Sequence, residues 1–365
     1  MSGYARRVKA DIDRWLGAGL IDAGTARALS SDVEARAGRG FSLGAVLAMM
    51  AAALFSAAIL LFIAANWEQL PRVARVAMLF SLIATGYVGG AVLRLRGHTA
   101  FGDAAWIVAA ASFGAAIALI GQMYHLSGDE KQSIAVWGAA TALAAAALRS
   151  GPLTVAASIL AAAWMLMHVL ESWNAYDLPL TFPLALVALY ALSFWTQSGA
   201  SRHILILSAL AFTFIFYWRD ETMMVPLGLM AFSALLFASA RLWPTEVDRY
   251  LGLGSAARVH ALLGFLTGIG IIQIDVMDQP GFLTATVAAL AGIVAAILLG
   301  GRDSRVMRRL AYAAFAFQIA FIYVEMLDTM LGTAGFFLLA GLTLALLALT
   351  ITRLEKSFTT SGAAS

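Results

Sequence analysis

Along most of this chain, apolar residues do not alternate with polar ones. They run together in stretches of helix length, parted by short polar connections. A bilayer hydrocarbon core is ~30 Å thick and takes ~20 apolar residues per crossing helix. Inside it every backbone N–H and C=O must bond within its own element, which leaves helices or closed barrels. Long runs without a two-residue alternation predict helices. Spans are expected at 43–65, 73–93, 104–124, 133–148, 152–170, 180–197, 203–218, 222–240, 257–275, 281–300, 309–328 and 332–352, with the fourth and seventh short. The fold class this predicts is all-α, a polytopic transmembrane bundle of about 12 helices arranged as sequential hairpins.

Composition supports the membrane reading over a soluble one. Hydrophobic residues make up 61% of the chain and charged residues 12%, with a mean hydropathy of +0.84. Soluble domains carry about 25% charged residues. Too little polar sequence remains here to cover a soluble core. There is no cysteine, which excludes disulfides, thiolate metal sites and cysteine nucleophiles. The first apolar run follows a charged segment at residues 1–40, so no cleavable signal peptide is expected. Phosphate-loop, zinc-protease and serine-hydrolase motifs are absent.

Charge gives an orientation. Only Arg72, Arg75, Lys131 and Arg219 fall in one set of connections. The other 20 of the 24 basic residues lie in the N-terminal segment, the alternate connections and the tail. Basic residues are retained in the cytoplasm, so both termini are expected there. The pI near 9.3 then reflects topology rather than nucleic-acid binding. The bilayer is the expected partner, with Arg302, Arg305, Arg308 and Arg309 meeting anionic headgroups. Eleven carboxylates gather on the opposite side, either because basic residues are excluded there or as a cation-attracting vestibule.

The division expected is an N-terminal helical hairpin at 1–40, a membrane bundle at 41–353 and a short cytoplasmic tail at 354–365. Val8, Ile12, Trp15 and Leu16 fall on one helical face. Gly17 and Gly19 end that helix, and Asp22 caps a second one through Ala26, Leu29 and Val33. The hairpin either packs on itself or at the membrane surface, or it docks a cytoplasmic protein partner. Gly86, Gly89 and Gly90, and the Gly264/Gly268 pair, permit close helix contact within one chain or in a homo-oligomer. The segments Ile274–Asp278 and Val324–Asp328 resemble each other and each ends a span, which fits either an internal duplication or chance.

Two polar turns stand out, Ala64–Pro71 after the first span and Gly121–Glu130 after the third. Candidate ligand-binding residues are Asn66, Trp67, Glu68, Gln122, Tyr124, His125 and Asp129. Gln122, His125 and Asp129 share a face if the third helix continues that far. Asn66 and Gln122 can satisfy unpaired helix-end groups, and Trp67 and Tyr124 suit the interfacial aromatic belt. These turns therefore either cap helices and tie hairpins together or line an outward-opening polar pocket. With the lead-in Trp15–Leu29, the Asn66-Trp67-Glu68 turn and the Gln122, Tyr124, Ser127, Gly128, Asp129 turn resemble the bacterial membrane-protein family "domain of unknown function 2157", over roughly residues 10–150. That resemblance implies a multi-pass bacterial membrane protein and carries over no activity; the expected location is the inner membrane.

His125, His168 and Glu171 could ligate a metal, but two helix-end histidines with no known contact do not define a site, and no metal or cofactor is assigned. Deeper polar residues are Gln273, Asp275, Gln318 and Glu325; ionisable groups within a membrane point to function, but Asp275 and Glu325 stand close enough to the expected boundary to be hydrated. Three functions fit the sequence. The first is a transporter-like or small-molecule-binding bundle with an outward polar pocket. The second is a membrane scaffold or sensor that docks a partner through residues 1–40. The third is an intramembrane or lipid-modifying enzyme using His125 with a carboxylate.

Overall fold

The computed structural model describes residues 3–37, 71–124, 129–171, 181–277, 279–301 and 304–326, with isolated positions between 47 and 62 and between 338 and 345. Among the described residues there are 13 α-helices and no strand. We label them α1 (Gly3–Gly17), α2 (Ala23–Ala37), α3 (Arg72–Leu95), α4 (Thr99–Met123), α5 (Glu130–Leu148), α6 (Gly151–Glu171) and α7 (Phe182–Trp195). Then follow α8 (Gly199–Asp220), α9 (Met224–Leu242), α10 (Pro244–Leu251), α11 (Ala256–Asp275), α12 (Gly281–Gly300) and α13 (Arg305–Met326). Ten of these occupy the second to eleventh expected spans. The first and twelfth spans fall largely outside the described residues.

Seven helices (α3, α4, α6, α8, α9, α11 and α12) are long and apolar enough to cross a membrane. The chain is a helical, multi-pass membrane protein. The span expected to be short is not the fourth or the seventh, because α5 has 19 residues and α8 has 22. The short helix is α7, with 14 residues and thus ~21 Å of rise. Pro183 sits in its first turn and resists backward extension, and Gln197 turns left-handed just past its end.

α1 and α2 form the expected hairpin. Gly19 adopts φ 69, the Asp22 carboxylate accepts from the Thr25 amide at 2.7 Å, and Ile12 and Ala26 are buried. That hydroxyl-bearing residue and its amide hold the Asp22 carboxyl below its usual range, the Thr25 side chain contributing most. Trp15, Leu16, Leu20 and Leu29 stay exposed.

The chain divides into two compact units. One comprises Met1–His168 with Leu184–Ser201, the other Val169–Pro183 with Arg202–Ser365. In the first unit α3 and α4 pack along their length, joined by a tight turn in which Gly97 takes φ 86. Gly86 and Gly90 face α4: a Cβ on Gly90 would lie 2.5 Å from Trp106 Cδ1 and 2.8 Å from the Gly102 oxygen. Gly89 faces open space. Trp106 donates from Nε1 to the Tyr87 carbonyl at 3.0 Å, and Arg94 pairs with Asp103 at 2.6 Å. Trp195 at the end of α7 donates to the Ala146 carbonyl, and the Arg149 guanidinium stacks over its ring.

In the second unit α9 packs along α11. Gly268 lies against Met230 and the Pro226 carbonyl, and Gly264 against Ser233. The glycine pair therefore serves contact inside one chain. α10 has no counterpart among the expected elements. Proline opens it, Gly252 at φ 60 ends it, and Val247 and Leu251 pack with Ala240, Leu253 and Ala257. Leu262, Ile293, Met307 and Phe315 form the main core where α11, α12 and α13 meet.

A candidate polar-ended cavity in the first unit

α3, α4 and α5 with Met167 of α6 line a cavity of about 1010 Å³. Its body is apolar and partly aromatic, with Phe80 and Ile83 from α3, Phe113 and Ile117 from α4, and Trp137 from α5. The Trp137 ring lies against Gly114, a close approach that only glycine admits, and its Nε1 donates to the Ala110 carbonyl at 2.8 Å. The indole is thereby fixed as a wall. One end of the cavity is polar, carrying Gln122 at the close of α4 and Glu130 and Ser133 in the first turns of α5. Glu130 is the only charged residue among the described lining residues. Ser133 Oγ donates to the Asp129 carbonyl at 3.3 Å.

The candidate residues read from the sequence separate into three groups. Gln122 lines the cavity. Tyr124 and Asp129 are helix caps: Tyr124, 55% exposed, closes α4, and the Asp129 carboxylate accepts from the Lys131 amide at 2.9 Å to open α5. Asn66, Trp67, Glu68 and His125 lie outside the described residues. A face shared by Gln122 and Asp129 requires the helix to continue that far, but α4 ends at Met123 and Asp129 caps the next helix, while His125 lies outside the described residues. Glu130, Ser133 and Trp137 are not among those candidates, although their i, i+3, i+7 spacing puts them on one helical face.

The match of a family model coincides with this region. Residues 13–154 match the model of DUF2157, described as a predicted membrane protein. The matched stretch holds α3, α4 and α5 entire, and so every described cavity-lining residue except Met167. No curated protein matches the chain. No solved structure matches it either.

Buried polar groups also gather in each unit outside the lining of this cavity. In the first unit Asp103 receives Arg94 and, at 3.4 Å, the Ser150 hydroxyl. Beyond it run buried hydroxyls: Thr154 Oγ1 lies 2.8 Å from Thr196 Oγ1, and Ser158 Oγ 2.6 Å from Ser201 Oγ. Such side chains bind helices together in hydrocarbon.

In the second unit Arg202 donates to the Gly252 carbonyl at 2.6 Å, and His203 Nδ1 lies 2.7 Å from His260 Nε2. His260 Nδ1 is buried without a partner among the described residues. Gln273 donates to Thr286 at 3.2 Å, and Tyr217 bonds to the Asp275 carboxylate. Gln318 is buried on α13, its amide nitrogen unpartnered among the described residues. In the first unit, His168 Nδ1 lies 3.0 Å from the Trp164 carbonyl. Among the described residues no three His, Cys, Asp or Glu side chains are grouped to hold a metal.

Proposed function

We propose that the chain is a small-molecule-binding or transporter-like bundle of the bacterial inner membrane, with both termini cytoplasmic and the polar end of the α3–α4–α5 cavity opening outward. The observation that carries this reading is the cavity itself. At about 1010 Å³ it has the size and the mostly apolar lining, with a few convergent polar groups, of a ligand site. The fixed Trp137 and the phenylalanines would take the apolar body of a ligand. Gln122 and Ser133 would hydrogen-bond its polar end, and Glu130 would favour a cation over an anion. The orientation rests on the 20-to-4 asymmetry of basic residues.

The test uses a natural advantage, the absence of cysteine. Ser133→Cys in the full chain provides a single thiol at the cavity's polar end. Tetraphenylphosphonium, a cation with an apolar body, should slow its maleimide labelling in a saturable way, and Glu130→Gln should weaken that protection. Labelling unaffected by the cation at any concentration would contradict the reading.

A scaffold or sensor role for residues 1–40 draws on a different observation. The α1–α2 hairpin leaves Trp15, Leu16, Leu20 and Leu29 exposed, the kind of apolar set a cytoplasmic partner would cover. Pull-down with the full chain against Leu20→Asp tests it, and an unchanged set of captured proteins would count against it. The enzyme reading depends on His125, outside the described residues, and no observation favours it.

A further inference from the structure

In the second unit α9, α11 and α12 enclose a groove of about 400 Å³, distinct from the cavity above. Its walls are Ala234 and Ala238 of α9, Ala261 and Phe265 of α11, and Gly292 and Ala295 of α12. Gly292 keeps the groove open beside Phe265, whose ring occupies the space a side chain there would need. The groove extends from Ser233 to Arg241 along α9, eight residues, ~12 Å at 1.5 Å each. One leaflet of a ~30 Å core is ~15 Å deep, so the groove matches most of one leaflet.

Its two ends differ. The inner end is apolar apart from Ser233. At the other end stands Arg241, the one charged residue among the described lining residues, beside Leu242. Directly after them come exposed Trp243 and the short amphipathic α10 with exposed Tyr250. An exposed tryptophan and tyrosine on an amphipathic turn mark the headgroup level of a bilayer. Arg241 therefore stands where phosphates lie.

We infer that this groove is a phospholipid site that takes one acyl chain between α9, α11 and α12 and holds the phosphate of an anionic headgroup on Arg241. The occupant follows from the lining. A peptide strand or loop would bring backbone N–H and C=O groups into a wall that offers almost nothing to bond them, a cost of several kcal/mol per group. Hydrocarbon brings none. A cation at the mouth complements an anionic lipid, and guanidinium is suited to phosphate. In the orientation proposed above the site faces the cytoplasmic leaflet, but lipid binding at Arg241 does not depend on that orientation or on the first unit's cavity.

The full chain, purified in detergent, is offered phosphatidylglycerol and phosphatidylcholine with identical tails, and retained lipid is counted by native mass spectrometry. One phosphatidylglycerol should be retained in preference to phosphatidylcholine by about fivefold, the effect of one arginine at an anionic surface. Arg241→Gln should remove the headgroup preference, while Arg249→Gln, an arginine of α10 outside the groove, should leave it intact. Ala295→Phe fills the groove and should abolish retention of both lipids. Ala238→Leu, a smaller insertion, should reduce it if Ala295→Phe fails to fold. Equal retention of the two lipids, equal loss in both arginine variants, or full retention after the groove is filled would overturn the inference. So would a disulfide between Ala238→Cys and a cysteine placed within 332–352, because the chain itself would then occupy the groove.

Discussion

In α3, Gly86 and Gly90 lie one turn apart and face α4. In α11, Gly264 and Gly268 lie one turn apart and face α9. Both pairs of helices approach closely because small residues clear the way, as membrane helices require when water supplies no hydrophobic drive between them. They differ in how the approach is fastened. The α3–α4 pair has a tight turn at Gly97, the Arg94–Asp103 ion pair, and the Trp106 bond to the Tyr87 carbonyl. The α9–α11 pair is connected through α10, which packs with Ala240 and Ala257 at their shared end. Close approach is thus a matter of side-chain volume, and polar fastening is a separate layer whose place and chemistry vary between the units.

The largest effect should come from volume at the rigid contact. Gly90→Ala would press a methyl onto the Trp106 ring and the Gly102 carbonyl, and overpacking of this kind costs about 1–3 kcal/mol. Gly268→Ala should cost less, because Met230 can yield, although the Pro226 carbonyl at 2.9 Å cannot. Gly89→Ala and Gly270→Ala meet nothing within 4 Å and should leave stability nearly unchanged. Thermal unfolding of the four variants in detergent gives the order. If Gly89→Ala proves as damaging as Gly90→Ala, close approach is not what the glycines provide.

Next in size is the fastening of α3 to α4. Asp103→Asn strips the carboxylate from Arg94 and Ser150. The two ionic side chains are 34% and 20% exposed, so solvent screens part of the loss and about 1–2 kcal/mol is expected. Thr154→Val, which breaks the buried bond to Thr196, should cost ~0.6 kcal/mol, the average for interhelical bonds in membranes. Both are read from the same unfolding curves. A larger loss from Thr154→Val than from Asp103→Asn would reverse the ranking of the polar layer.

The α1–α2 hairpin depends on a cap instead. Because the folded Asp22 carboxyl lies below its usual 3.8, its stabilisation is complete above that value and is lost as pH falls through the lowered one. In the full chain, protection of the Thr25 amide relative to its unstructured exchange rate should fall over that acid range. Asp22→Ala should show low protection at every pH. Protection that does not change with pH in the unaltered chain would remove the cap from the account.

Much of this was legible in the sequence for a physical reason: the bilayer imposes a length and a polarity that every crossing segment must display. Ten spans, the Asp22 cap and the Gly86–Gly90 and Gly264–Gly268 contacts follow from local patterns of that kind. Asp103 with Arg94, His203 with His260, and Thr154 with Thr196 do not, because each pair joins residues on different helices, and no periodicity within one helix reveals its partner. α10 does not stand out between two strong apolar runs, although Pro244 and Gly252 mark its ends. At the candidate site Gln122 was legible as a polar residue closing a helix. Trp137 was not, because it resembles any apolar residue until Gly114 is placed against it.

The central claim is the proposal that the α3–α4–α5 cavity opens on the extracytoplasmic side of the membrane. Maleimide that cannot cross membranes, applied to sealed right-side-out vesicles carrying the full chain with Ser133→Cys, tests it most directly. The account predicts labelling without permeabilisation, at a rate close to that after permeabilisation. A thiol that reacts only after the membrane is opened would contradict it.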